Sequence, residues 1–177
     1  MRRPLPVALP TSVLACLLSG LLGCQRQPAP APGPPPGPPA PKATVVKVYF
    51  ADPQTALLRP VERTVQGQNL AEGALKALLA GPQPDEKLDL PLPKGTTLLG
   101  VSVDNGLATV DLSKEYQEGF PQGGAAQTLA LYALVNTLTD LPGVRAVHIL
   151  IEGKPVETLG ELSVAEPITR SEDFVVR

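Results

Sequence analysis

Few residues in this chain are of a type that could carry chemistry. His148 is the only histidine, and the two cysteines, Cys16 and Cys24, both lie within the first 24 residues. A hydrolytic triad needs a positioned imidazole, a transition-metal site usually takes several histidines or cysteines, and a thiol enzyme needs a cysteine in its folded domain. A multi-histidine metal centre within one chain is thereby excluded, and no thiol chemistry is available beyond residue 24. His148 sits in VRAVHILI, residues 144–151, and reads as a packed core or sheet-face histidine rather than a catalytic base. Carboxylates remain, and Asp111 with Glu115, or Asp52, could supply the pair that a glycosidase uses. Against this, Asp111 lies just before Ser113, where acidic and hydroxyl residues cap a short helical turn. Aromatic residues are only 3% of the chain, with no cluster to stack on a sugar ring. Gly123-Gly124 stands before a helical pattern as an anion loop would, but the lysine and serine of a phosphate loop are missing. Asn136 and Thr137, inside that helix, read as helix-surface or helix-sheet contacts. The sequence therefore assigns no catalytic residue, no metal ligand and no cofactor, and it identifies no ligand-binding residue.

The informative cysteine is Cys24. Arg2 and Arg3 are followed by a mostly apolar stretch, Leu5 to Leu22, which is the pattern of an export leader. A membrane-spanning helix needs about 20 apolar residues, whereas this leader carries Pro4, Pro6 and Pro10 and ends in a cysteine rather than a basic cluster. Leu21-Leu22-Gly23-Cys24 resembles the bacterial lipobox, in which the cysteine sulfur is linked to diacylglycerol and cleavage, here between Gly23 and Cys24, makes it the new N-terminus. Cys16 would leave with the leader, so the mature chain could form no internal disulfide. Each buried methylene contributes about 0.8 kcal/mol, so two or three acyl chains would anchor the chain stably where one would not.

From Pro28 to Pro41 the chain reads PAPAPGPPPGPPAP. Proline lacks an amide donor, so this run is neither helix nor central strand and reads as an extended spacer, roughly 40 Å long at about 3.1 Å per residue. The organisation that follows is a lipoprotein signal peptide at 1–23, a lipidated cysteine with its proline-rich tether at 24–44, and one domain at 45–177. The expected location is outside the cytoplasm, lipid-anchored to the outer face of the cell membrane or to the outer membrane. Gln25, after the cysteine, is not a retention aspartate and favours the latter where it exists.

The domain region holds 11 Lys and Arg against 17 Asp and Glu, a net charge of −6, and its basic residues are scattered singly. Nucleic-acid binders depend on clustered cations that release phosphate counterions, so that partner class is excluded. About 130 residues suffice for a modest core.

Thr44 to Phe50 is β-branched and aromatic and predicts a buried strand, ended by Asp52-Pro53. Asn69-Leu70-Ala71-Glu72 has the form of a capping box, with Glu72 reaching back to Asn69. A stripe of Leu70, Ala74, Leu75, Leu78 and Leu79 follows, and Gly81-Pro82 ends that helix. In LLGVSVDNGLATVDL, residues 98–112, Asn105-Gly106 has the chemistry of a two-residue type I′ turn. Paired residues then sum to 211, so that Leu99, Val101 and Val103 oppose Leu112, Val110 and Ala108 on one core-facing side. Gly123 to Leu141 predicts the main packing helix, Val144 to Ile151 a central strand apolar on both faces, and Val156 to Leu159 a weaker strand. The order β-α-β-β-α-β-β predicts an α+β fold, a small mixed sheet with two helices on one face.

Taken in order, Lys47-Val48-Tyr49-Phe50, Leu78-Leu79-Ala80-Gly81-Pro82, Leu92-Pro93-Lys94-Gly95-Thr96, Gly106 to Ser113, Val135-Asn136-Thr137-Leu138-Thr139 and His148 to Gly153 resemble a GerMN domain. The resemblance spans essentially all of 45–177. It implies an α+β domain similar to the ring-building modules of envelope assemblies, found in sporulation and germination lipoproteins, with no enzymatic residues to carry over. The function expected is that of a membrane-anchored scaffold or interaction module. Its partners would be the membrane through covalent lipid and an envelope protein or further copies of itself, with peptidoglycan or a small ligand as the alternative.

Overall fold

The computed structural model describes residues 43–176, so Gly23, Cys24 and the proline-rich run lie outside the described residues. Strands β1 (Ala43–Asp52) and β2 (Leu57–Gln66) pair antiparallel over their full length, with Val48 opposite Val61. Valine, tyrosine and phenylalanine drive β1 into the core, where Val48, Tyr49 and Phe50 are at most 1% exposed.

Helix α1 (Leu70–Leu79) starts where its cap predicts: Asn69 Oδ1 accepts the Glu72 amide at 3.1 Å. Only half of the expected box forms, because Glu72 turns away from Asn69 to pair with Lys76 one turn on. The helix stops as Gly81, at φ +83°, donates to the Leu78 carbonyl at 3.0 Å. Its buried stripe is Ala71, Ala74, Leu75 and Leu78.

Strands β3 (Leu98–Asp104) and β4 (Leu107–Leu112) join through Asn105 and Gly106, both at positive φ, as a type I′ turn requires. From Gly100–Asp111 to Asp104–Leu107 the paired numbers sum to 211 as expected. At the far end a bulge intervenes, so that Leu98 rather than Leu99 meets Leu112, and Leu99 is expelled to 53% exposure. The two strands also differ in burial. Ala108, Val110 and Leu112 are fully buried, whereas Val101 is half-buried and Val103 is 45% exposed, because β3 ends the sheet and has no neighbour on its far side.

A short helix, α2 (Glu115–Glu118), leads to α3 (Gly124–Thr139). This second long helix is buried on most sides and returns the chain to β5 (Ala146–Ile151), which pairs parallel with β4, Thr109 beside His148. Strand β5 is central as predicted, but its faces differ: Val147, Ile149 and Ile151 are buried while Ala146, His148 and Leu150 are half-exposed. The short strands β6 (Lys154–Pro155) and β9 (Ile168–Thr169) pair antiparallel with β5, and β7 (Thr158–Leu159) pairs with β8 (Leu162–Ser163). The result is an α+β fold around a mixed five-stranded sheet, with the β1–β2 ladder separate from it. Helices α1 and α3 contact each other and both ladders.

Candidate interaction surface

The polar residues weighed as catalytic groups are occupied in structural work. Asp52, 3% exposed, closes the β1–β2 turn, accepting the Gln54 amide at 2.9 Å and pairing with Arg59. The Gln54 amide first, and Arg59 after it, hold its carboxyl below the ordinary value. Asp111 does not cap the turn at Ser113; its Oδ1 accepts the Gly153 amide at 2.8 Å and fastens the β5–β6 turn to β4. Ser113 Oγ accepts the Thr97 amide at 3.0 Å, and the Ser113 hydroxyl lowers the Glu115 carboxyl. The three carboxylates are thus committed at three separate places in the fold, the β1–β2 turn, the β4 strand and the start of α2.

Asn136 and Thr137 are fully buried and serve as joints between α3 and the chain around it. Thr137 Oγ1 donates to the Ala133 carbonyl at 2.6 Å and accepts the Tyr49 amide of β1 at 3.1 Å. The Asn136 amide mimics a peptide unit against Ser171, donating at 2.8 Å and accepting at 3.2 Å. Beside it Arg170 lies over the Tyr49 ring at 5.3 Å, donates to the Tyr49 hydroxyl at 2.7 Å and pairs with Asp140 at 3.3 Å. Burial raises the Tyr49 phenol above its ordinary value, against the pull of Arg170. Gly123 enters α3 at φ +91°, so its pair of glycines supplies a backbone turn and not a phosphate loop. Among the described residues no buried side-chain nitrogen or oxygen lacks a hydrogen-bond partner, and no cluster of three or more His, Cys, Asp and Glu could hold a metal.

What the domain does present is apolar surface. Val45, Leu99 and Val103 are its exposed large hydrophobic residues, at 59%, 53% and 45%. Val103 borders a groove of about 460 Å³ with Leu70, Leu141, Pro142 and Val144. Val45 borders a second hollow of about 180 Å³ that shares Leu70, Leu141 and Pro142 with the first. The start of α1, the end of α3 and the first residues of β1 therefore build one partly apolar end of the domain, with the β3 edge beside it. Sequence reasoning placed Leu99 and Val103 in the core. Their exposure follows from the place of β3 at the edge of the sheet, a sheet order that the sequence did not assign.

A family model described as sporulation and spore germination, Germane, matches residues 47–157. Among solved structures, a candidate lipoprotein from Clostridium perfringens is 23% identical, with a TM-score of 0.54 over 72% of this chain and 87% of that one. The first GerMN domain of the sporulation protein GerM from Bacillus subtilis is 20% identical, with a TM-score of 0.57 over 72% of this chain and 98% of that one. The tandem GerMN domains of the same protein are 21% identical, with a TM-score of 0.58 over 73% of this chain, which spans 46% of the tandem. At these identities the structures show a shared fold, and no curated protein matches in sequence at a significant level. With the family model running through β1, both long helices and the central strands, the chain belongs to the sporulation and spore germination family Germane and carries a GerMN domain.

Proposed function

We propose that this protein is a lipid-anchored envelope protein whose GerMN domain works as a non-catalytic interaction or scaffold module. The observation that carries the reading is the contrast within the domain. Among the described residues every buried polar side-chain atom is paired, while Val45, Leu99 and Val103 stand exposed, Val103 and Val45 on adjoining grooves. A catalytic site would keep some polar groups available for substrate, whereas an exposed apolar patch is what a macromolecular contact uses. The anchor half rests on sequence: an apolar leader, Leu21-Leu22-Gly23-Cys24 and a proline-rich spacer in succession. No helix among the described residues is long and apolar enough to cross a membrane. In this reading the acyl chains on Cys24 supply the attachment.

Two measurements test the two halves. Cys24→Ser should abolish acylation and move the chain out of the membrane fraction, and unchanged processing with unchanged fractionation would remove the anchor. Cross-linking in cells followed by capture of this chain should recover an envelope protein or an oligomer of the chain. Recovery of neither, with co-sedimentation on purified sacculi instead, would replace the scaffold reading by a peptidoglycan-binding one. Asp111→Asn is expected to leave envelope sugar turnover unchanged, since that carboxylate holds the Gly153 amide.

A further inference from the structure

Strand β3 closes one side of the five-stranded sheet, and among the described residues its backbone hydrogen bonds run only to β4. Its other edge is a row of free amides and carbonyls. Proteins usually guard such an edge with lysine, proline or an inward-facing charge. Here Gly95 to Val103 carries no charge and no proline, with Lys94 and Asp104 standing only at its ends, and Leu99 and Val103 are exposed along it.

We infer that β3 is the pairing edge for a second copy of this chain, joined antiparallel about a twofold axis at Val101. The strand is complementary to itself in that register. Leu99 of each copy lies across from Val103 of the other, Gly100 across from Ser102, and Val101 across from Val101. The single charge, Asp104, lies across from Leu98, so no like charges meet. Each exposed apolar side chain gains an apolar neighbour, and the two sheets become one. Closure about a twofold also spends both open edges, so the association stops at two copies. A heterologous strand could meet the same backbone groups, but nothing in β3 would select it, whereas its own sequence satisfies the register twice over.

A seven-residue strand pair buries less than the roughly 1,200 Å² of a stable standard interface, so the dimer is weak in dilute solution. Confinement of both copies to one surface raises their effective concentration and populates it. That step rests on the lipid-anchored reading above, and the experiment separates the two.

The full chain carrying Val101→Cys is expressed in cells and treated with oxidant or a short bismaleimide. Cβ atoms of directly opposed strand residues lie about 4.5–5.5 Å apart, within reach of either. Cys16 and Cys24 are the chain's only cysteines, so after leader removal and acylation the introduced thiol is the one free sulfur. The expected result is a cross-linked dimer from Val101→Cys and none from Val45→Cys, although Val45, on β1, is the more exposed of the two. Adding Val103→Lys, which places a charge on the edge without touching the core, should lower the dimer fraction several-fold. The inference is overturned if Val101→Cys stays monomeric, if Val45→Cys cross-links as well, or if Val101→Cys is captured by a different protein in place of itself. Membrane fractionation of the same samples reports on the anchor: a monomer in the membrane fraction sinks the dimer alone, and a chain outside that fraction sinks the anchored reading.

Discussion

Thr137 shows how one hydroxyl can fix the relation between two elements. Replacing it with valine keeps the shape, leaves the Tyr49 amide without its acceptor, and should cost about 1–3 kcal/mol in urea unfolding. The sequence suggested that Asn136 and Thr137 were contacts, since polar residues in an apolar helix must be satisfied. It could not name Ser171 and Tyr49 as their partners, which lie 35 and 88 residues away. Glu86 offers a test by pH. Arg63 grips it with two bonds, at 2.8 and 2.6 Å, and this first, with the Gln83 amide, holds its carboxyl below the ordinary 4.5. A folded-state value below the unfolded one stabilises the protein fully above about pH 4.5 and ceases to do so as pH falls through the folded value. Glu86→Gln should therefore be less stable than the native chain at neutral pH, by about 1.5–3 kcal/mol. The gap in unfolding midpoint should close as the pH drops below 4.5; a gap independent of pH would mean that the carboxylate charge is not what Arg63 holds.

Among the elements, those with a strong period and a clear stop were legible: α1, α3, the Asn105-Gly106 hairpin and β5. Strand β2 was not. Its sequence, LLRPVERTVQ, interrupts the alternation with Pro60 and puts Arg59, Glu62 and Arg63 among the apolar residues, and proline normally argues against a strand. Pro60 is tolerated here because, among the described residues, the backbone bonds of β2 on the side away from β1 are made at Leu58, so position 60 needs no amide there. The bulge at Leu99 was equally hidden, since a turn specifies register near itself and not six residues away. Contact between α1 and β2 depends on Gly73, where an added Cβ would lie 2.9 Å from the Cβ of Val65. Gly73→Ala would raise helix propensity in isolation. In the folded protein it should instead lower the thermal midpoint, at a cost of about 1–3 kcal/mol from overpacking, and Val65→Ala in the same chain should recover part of the loss.

For the molecule as a whole, the order of elements read from the sequence predicted the α+β fold but not the role of its last residues. After β9 the chain is strapped across the fold. Arg170 and Ser171 bind Tyr49, Asp140 and Asn136, the Phe174 ring packs on Tyr132 at 4.9 Å, and Leu58 exchanges backbone bonds with Phe174 and Val176. None of this shows as periodicity, because the strap is irregular and each of its contacts is distant in sequence. Ending the chain after Pro167 would orphan the buried Asn136 amide and uncover Leu58 and Tyr132. Such a chain should lose at least about 3 kcal/mol and be cut by protease at lower urea concentration than the full chain. The parallel pairing of β4 with β5 carries a further consequence for biogenesis. As the chain is made from its N-terminus, the β3–β4 hairpin is complete well ahead of β5, whose first residue, Ala146, follows Leu112 by 34 positions. Until that strand arrives β4 is bare on one side, so the growing chain passes through an interval in which a finished hairpin waits for the strand that will cover its open flank.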